Sequence, residues 1–187
     1  FAVLSCLLNP GDEIIIPEPM YVGYQGLAQA IGAHVTSIPL LADADFALDI
    51  EHIKTAVTDK TRVVLVNTPN NPTGSMISRA ALRDLAQFCL EANLWLVCDE
   101  VYSMITFDQK HRSLRASANN LENVIMIDGL SKSHAMSGWR MGWAICPRAL
   151  VPHLERFSTA TLFGMPQFIQ DAAAFALSNG EYYVAET

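Results

Sequence analysis

Six short apolar runs punctuate the chain, at residues 13–16, 35–38, 62–66, 94–98, 124–127 and 141–145. They are rich in β-branched residues, and most are closed by Pro, Asn or Asp, which is the signature of strands. The segments between them carry apolar residues at helical spacing. Residues 1–8 read as a helix stopped by Asn9-Pro10-Gly11-Asp12, and residues 22–31 as a second with Gly32 as its stop. Asp49 is a candidate N-cap for a third, with Ile50, Ile53 and Val57 on one face. Ser78 caps a fourth that runs to about residue 93, with Leu82, Leu85, Phe88 and Cys89 as its apolar positions. Residues 149–160 and 166–178 complete the set. Strands that alternate with helices from end to end predict an α/β fold of three layers, a mostly parallel sheet with helices on both faces. There is no repeat, low-complexity stretch or linker, so residues 1–187 read as one domain.

In such a sheet, ligands bind at the carboxyl ends of the strands. Three polar stretches follow strands directly: residues 67–74, 99–102 and 129–132. Chain direction puts all three at one edge of the sheet. Pro17-Glu18-Pro19 forces an extended loop that delivers Met20, Tyr21 and Tyr24, because each proline fixes its own φ and restricts its neighbour.

Composition narrows the function. Apolar residues make up 51% of the chain, but no apolar run approaches the ~20 residues that cross a bilayer. A net charge of −7 argues against nucleic acid, which calls for a basic face. Cys6, Cys89, Cys98 and Cys146 lie far apart in apolar stretches, with no CxxC and no histidine pair at ligand spacing. They read as buried small apolar residues in a reducing compartment, and no metal site is expected. The chain opens on Phe1 inside a helical pattern and stops at Thr187 without a stop signal, so it reads as a piece of a longer protein.

The chemistry centres on Lys132, in the Gly/Ser-rich stretch after the strand at 124–127, and on Arg140, eight positions later. A desolvated lysine is a Schiff-base nucleophile. Arginine's planar fork suits a phosphate. An aldehyde and a phosphate on one ligand suggest pyridoxal phosphate. A lone loop lysine is ordinarily a solvated charge, but other stretches supply the rest of the same site. Asp99 ends a buried strand and needs a cationic or donor partner, which a protonated pyridine nitrogen provides; a turn cap is the plainer use of such an Asp. Tyr102 and Asn71 can both donate to the phenolate oxygen of that ring, although a half-buried aromatic and a turn asparagine would look the same. Tyr21 can stack on it.

These residues carry a resemblance. Asn71-Pro72-Thr73-Gly74, Asp99-Glu100-Val101-Tyr102, and Ser131-Lys132 followed by Arg140-Met141-Gly142 resemble the motifs of class I/II aminotransferases, pyridoxal-phosphate enzymes of fold type I. The resemblance covers essentially the whole chain. It implies that Lys132 holds the cofactor as a Schiff base, that Asp99 pairs with the pyridine nitrogen, and that Asn71 and Tyr102 bond the ring oxygen. It also implies that Tyr21 stacks, that Arg140 binds the phosphate, and that Ser131 assists it. The expected reaction moves an amino group from an L-amino acid to a 2-oxo acid. The alternatives are a carbon–sulfur β-lyase of the same fold and a non-catalytic pyridoxal-phosphate-sensing regulator domain. Small-molecule substrates, a homodimer and a cytoplasmic setting are implied, with neither nucleic acid nor membrane as partner. The implied unit is the cofactor-binding large domain, truncated at both ends, without the small C-terminal domain and its carboxylate-gripping arginine or the upstream phosphate-binding helix N-terminus. One departure concerns residue 129, where the family often has a phosphate-binding serine and this chain has Gly129. Within the family, residues 131–140 and 163–172 resemble arginine–pyruvate transaminases.

Overall fold

A computed structural model describes residues 1–186. In chain order its elements are α1 (Ala2–Leu7), β1 (Glu13–Glu18), α2 (Gly23–Ile31), β2 (His34–Pro39), α3 (Ile50–Ala56), β3 (Thr61–Asn67), α4 (Arg79–Glu91), β4 (Trp95–Asp99), α5 (Leu114–Ser117), β5 (Val124–Gly129), α6 (Leu130–Ser133), β6 (Gly142–Ile145), α7 (Val151–Thr161), α8 (Gln167–Asn179) and α9 (Glu181–Glu186). Among the described residues the strands form one six-stranded sheet in the order β2-β1-β3-β4-β5-β6. The first five run parallel, and β6 runs antiparallel to β5.

Alternate residues of each strand feed two cores. Ile15, Val64, Val66, Leu96 and Cys98 pack with Ile53 of α3 and with Leu82, Leu85 and Cys89 of α4. Ile14, Ile16, Val63, Leu65 and Val97 pack on the opposite face with Val3 and Leu4 of α1, Tyr24 and Ala28 of α2, and Leu154 of α7. The three-layer prediction therefore holds. The caps form as expected. The Asp49 side chain accepts from the Glu51 amide at 2.9 Å and that of Ser78 from the Ala81 amide at 3.1 Å. Gly32 ends α2 at φ +84°, a left-handed turn that glycine adopts without Cβ strain.

Several details differ from the sequence reading. Pro17 and Glu18 belong to β1 rather than to a loop. The β3 pairing with β1 stops at Ile15, so Pro17 lies where β1 is paired with β2 alone, and a residue without an N–H is tolerated there. The Gly/Ser-rich stretch holding Lys132, which reads as a tight turn, is a short helix, α6. Cys6 and Cys146 are half-buried; only Cys89 and Cys98 are core residues. The helices at α5 and α9 carry no periodicity that the pattern of apolar residues reveals. None of the described helices is long and apolar enough to cross a membrane.

The sheet order reverses between β1 and β3, and the loops leaving these two strands turn to opposite faces. This opens a crevice at their carboxyl ends. Register aligns what borders it: Asn67 pairs with Asp99, and Asp99 with Ile127.

Candidate active site

The last residues of β3 and β4 build the floor. Asn67 is 8% exposed. Its Nδ2 donates to the Asp99 carbonyl at 2.9 Å, and its Oδ1 accepts from the Asn71 amide at 2.7 Å. One amide thus ties two strand ends together and fixes the start of the 71–74 turn. The Asn71 Nδ2 in turn donates to the Tyr102 hydroxyl at 3.4 Å.

Asp99 is held by both oxygens. Oδ1 accepts from the Val101 amide at 3.1 Å, and Oδ2 accepts from the Tyr24 hydroxyl at 2.8 Å. Burial pushes its carboxyl above the usual range, and the Tyr24 and Val101 bonds oppose that rise. Burial and the neighbouring Asp99 charge likewise raise the Tyr24 phenol. Asp128, on the adjacent strand, is also raised by burial, against bonds from the Gly129 amide and the Ser103 hydroxyl.

Above this floor, α6 presents Lys132, whose Nζ stands 5.7 Å from the centre of the Tyr102 ring. Arg140 takes a left-handed conformation, φ +57°, and its Nη1 donates to the Ser137 carbonyl at 2.8 Å. Tyr21 is half-exposed and meets Tyr24 edge-on at 5.4 Å. A Cβ at Gly23 would overlap the Tyr21 ring, so the missing side chain is what lets that ring fold back.

All seven residues singled out in the sequence line one open cleft of about 660 Å³: Tyr21, Asn71, Asp99, Tyr102, Ser131, Lys132 and Arg140. Tyr24 and Asn67 line it too. The sequence reading gave neither a role. Asn67 gave a faint signal, since a polar group at the end of an apolar strand must be satisfied by a partner, but nothing in the pattern names that partner; Tyr24, at a core position of α2, gave none. Also unforeseen was a buried clamp. Glu100 Oε1 accepts from the Leu114 amide at 2.7 Å, while His111 Nε2 stands 3.1 Å from Oε2, at ion-pair distance but out of line for a full hydrogen bond. It closes the loop that starts with Tyr102.

The glycine at position 129 has a physical reason. A Cβ there would come within 2.9 Å of the Met141 carbonyl oxygen and 3.2 Å of the Gly142 Cα, because β6 passes so close. Among the described residues, no group of three or more His, Cys, Asp or Glu side chains could hold a metal ion.

Comparison with known proteins follows the same line. The family described as aminotransferase class I and II matches residues 1–187. The chain is 44% identical, over 95% of its length and 45% of the relative's, to an arginine–pyruvate transaminase of Pseudomonas aeruginosa. It is 36% identical to an aspartate aminotransferase of Musicola paradisiaca, over 95% of this chain and 44% of the relative. Among solved structures, the Thermus thermophilus aspartate aminotransferase with maleate superposes at a TM-score of 0.94 with 30% identity, covering 99% of this chain and 49% of that one. The chain spans about half the length of these relatives. On the family match along its whole length, the chain belongs to the class I and II aminotransferases.

Proposed function

We propose that the protein containing this chain is a pyridoxal-phosphate-dependent aminotransferase that moves an amino group from an L-amino acid to a 2-oxo acid. The observation that carries the reading is the convergence of Lys132, Asp99 and the Asn71–Tyr102 pair on one cleft. The donor set fits the cofactor. Burial disfavours the charged form of Asp99, and a cationic N–H in the cleft would restore it. Lys132 would provide the covalent anchor, Asp99 would face the ring nitrogen, and Asn71 and Tyr102 would hold the ring oxygen. Tyr21 would cover a ring face, and Arg140 with Ser131 would hold the phosphate. Pyridoxal phosphate, when bound, supplies an aldehyde and a ring that draws electrons from the substrate's Cα.

The chain's own groups supply the rest. Lys132, which lines this cleft, would take a proton from a substrate carbon and return it. The Asp99 carboxyl, fixed by two donors, would hold its position at the floor without reorganising as charge develops above it. In this reading residues 1–187 are the cofactor-binding large domain, and the intact protein is a cytoplasmic homodimer acting on small-molecule substrates.

The relative named as an arginine–pyruvate transaminase makes arginine and pyruvate the first pair to test. The experiment is a donor screen on the intact protein with pyruvate or 2-oxoglutarate as acceptor. Turnover that depends on the 2-oxo acid supports the reading. Release of pyruvate and ammonia without any acceptor marks a β-lyase instead.

A further inference from the structure

We propose that Tyr24 is the positioning residue of this site: its hydroxyl fixes the Asp99 carboxylate toward the cleft, and its ring sets the angle of Tyr21. The proposal rests on the cofactor reading above for its consequence in turnover, but not for its geometry.

Tyr24 is 7% exposed and sits in the first turn of α2, within an apolar cluster that includes Leu4, Ile16, Ala28 and Leu65. Phenylalanine would pack there without a polar atom to satisfy. The hydroxyl therefore needs a use, and its hydrogen bond is the 2.8 Å donation to Asp99 Oδ2. The other oxygen is held by the Val101 amide from the chain just beyond β4. These two donors, from different elements and on different oxygens, hold the carboxylate plane. With the phenol removed, one anchor remains and the group turns about its Cβ–Cγ bond. Each carboxylate oxygen has a second lone pair, so the lock leaves an acceptor for a ligand. The same ring meets Tyr21 edge-on at 82°, and the absence of a Cβ at Gly23 makes the space for that contact. One side chain thus sets both the charge under the ligand and the aromatic beside it.

The titratable and charged side chains around Asp99 are Lys132, Arg140 and Tyr102 on the same cleft, Cys98 and Glu100 along the chain, and Asp128 on β5. Of these, Glu100 and Asp128 oppose its ionisation, and the hydrogen bond from Tyr24 favours it. Losing that bond moves the carboxyl further up.

The test is Tyr24→Phe in the intact protein. Carbon-13 NMR of the Asp99 carboxyl, in the cofactor-free protein, is expected to titrate at higher pH than in the wild type. With pyridoxal phosphate bound, kcat is expected to fall roughly 10- to 100-fold, the worth of a hydrogen bond to a charged group. KM should change less, and the acid limb of kcat/KM should move to higher pH. A double-mutant cycle guards against a general packing defect: in the Asp99→Asn background, Tyr24→Phe should cost less than about twofold. An unmoved Asp99 titration, or a full and additive cost in the Asp99→Asn background, overturns the proposal. Failure of the wild-type protein to bind pyridoxal phosphate would fell the cofactor reading alone, because the cofactor-free titration still decides the role of Tyr24.

Discussion

Asn67→Ala should loosen the floor of the site, and the structure sets the size of the effect. The side chain makes two bonds. The Asp99 carbonyl that accepts from Nδ2 also accepts from the Thr68 amide at 3.0 Å, so it keeps a partner after the substitution. That loss is worth about 1 kcal/mol. The Asn71 amide has Asn67 Oδ1 as its acceptor at 2.7 Å, in a part-buried turn. Leaving it unpaired costs about 1–3 kcal/mol more. The sum, roughly 2–4 kcal/mol, is a large share of the 5–15 kcal/mol that holds an ordinary domain together. Urea unfolding of the intact protein should show a lower midpoint with an unchanged slope. Pyridoxal phosphate should bind about tenfold more weakly, because Asn71 loses the anchor that orients it toward Tyr102. Asn67→Asp sharpens the test. Its Oδ1 still accepts from Asn71, but the second oxygen faces the Asp99 carbonyl, acceptor against acceptor. That variant should be worse than alanine at neutral pH and recover in acid, where a protonated Asp can donate. Wild-type midpoints and cofactor affinity in both variants would refute the claim that Asn67 pins the turn.

Three further outcomes follow from the same geometry. Burial pushes Glu100 up, but the His111 ring, the Leu114 amide and Ser113 outweigh it and hold the carboxyl below its usual range; that stability is present above the unfolded value of about 4.3 and is lost as pH falls through the folded one, so Glu100→Gln should be less stable than wild type at pH 7 and converge with it in acid, and parallel curves would count against the clamp. Gly129→Ser should destabilise by about 1–3 kcal/mol, since its Cβ must displace the Met141 carbonyl, and an unchanged urea midpoint would show that β6 yields freely. Asp99→Asn should lose kcat more than KM in the loaded enzyme and yet gain stability over the wild type without cofactor as pH rises through the raised Asp99 pKa, because the wild type alone then buries an ionised carboxylate; a pH-independent stability difference would contradict this.

The strands and their order of appearance were legible in the sequence because a buried strand writes itself as a continuous β-branched run. The caps at Asp49 and Ser78 were legible because they are local, each bond spanning no more than three residues. The seven cleft residues were legible because chain direction brings every strand-to-helix loop to the same edge. Tyr24 was not, since its partner lies 75 residues away, at the end of another strand. The Glu100–His111 clamp and the Asn67 bridge were hidden because the partners His111 and Asn71 lie in irregular segments, where no periodicity fixes which groups meet. Pro17 misleads because a proline ordinarily ends a strand, whereas β1 is paired on one side only at that point. Gly129 read as a missing hydroxyl; the structure shows a backbone passing so close that a Cβ there would have to displace the Met141 carbonyl.

The central claim is that Lys132 is the covalent anchor of the cofactor. The direct measurement is borohydride reduction of the intact protein with pyridoxal phosphate, followed by proteolysis and mass spectrometry. One reduced pyridoxyl adduct is expected, on the peptide that carries Lys132, and none in Lys132→Ala. An adduct on another lysine, or an undiminished adduct in Lys132→Ala, would contradict it.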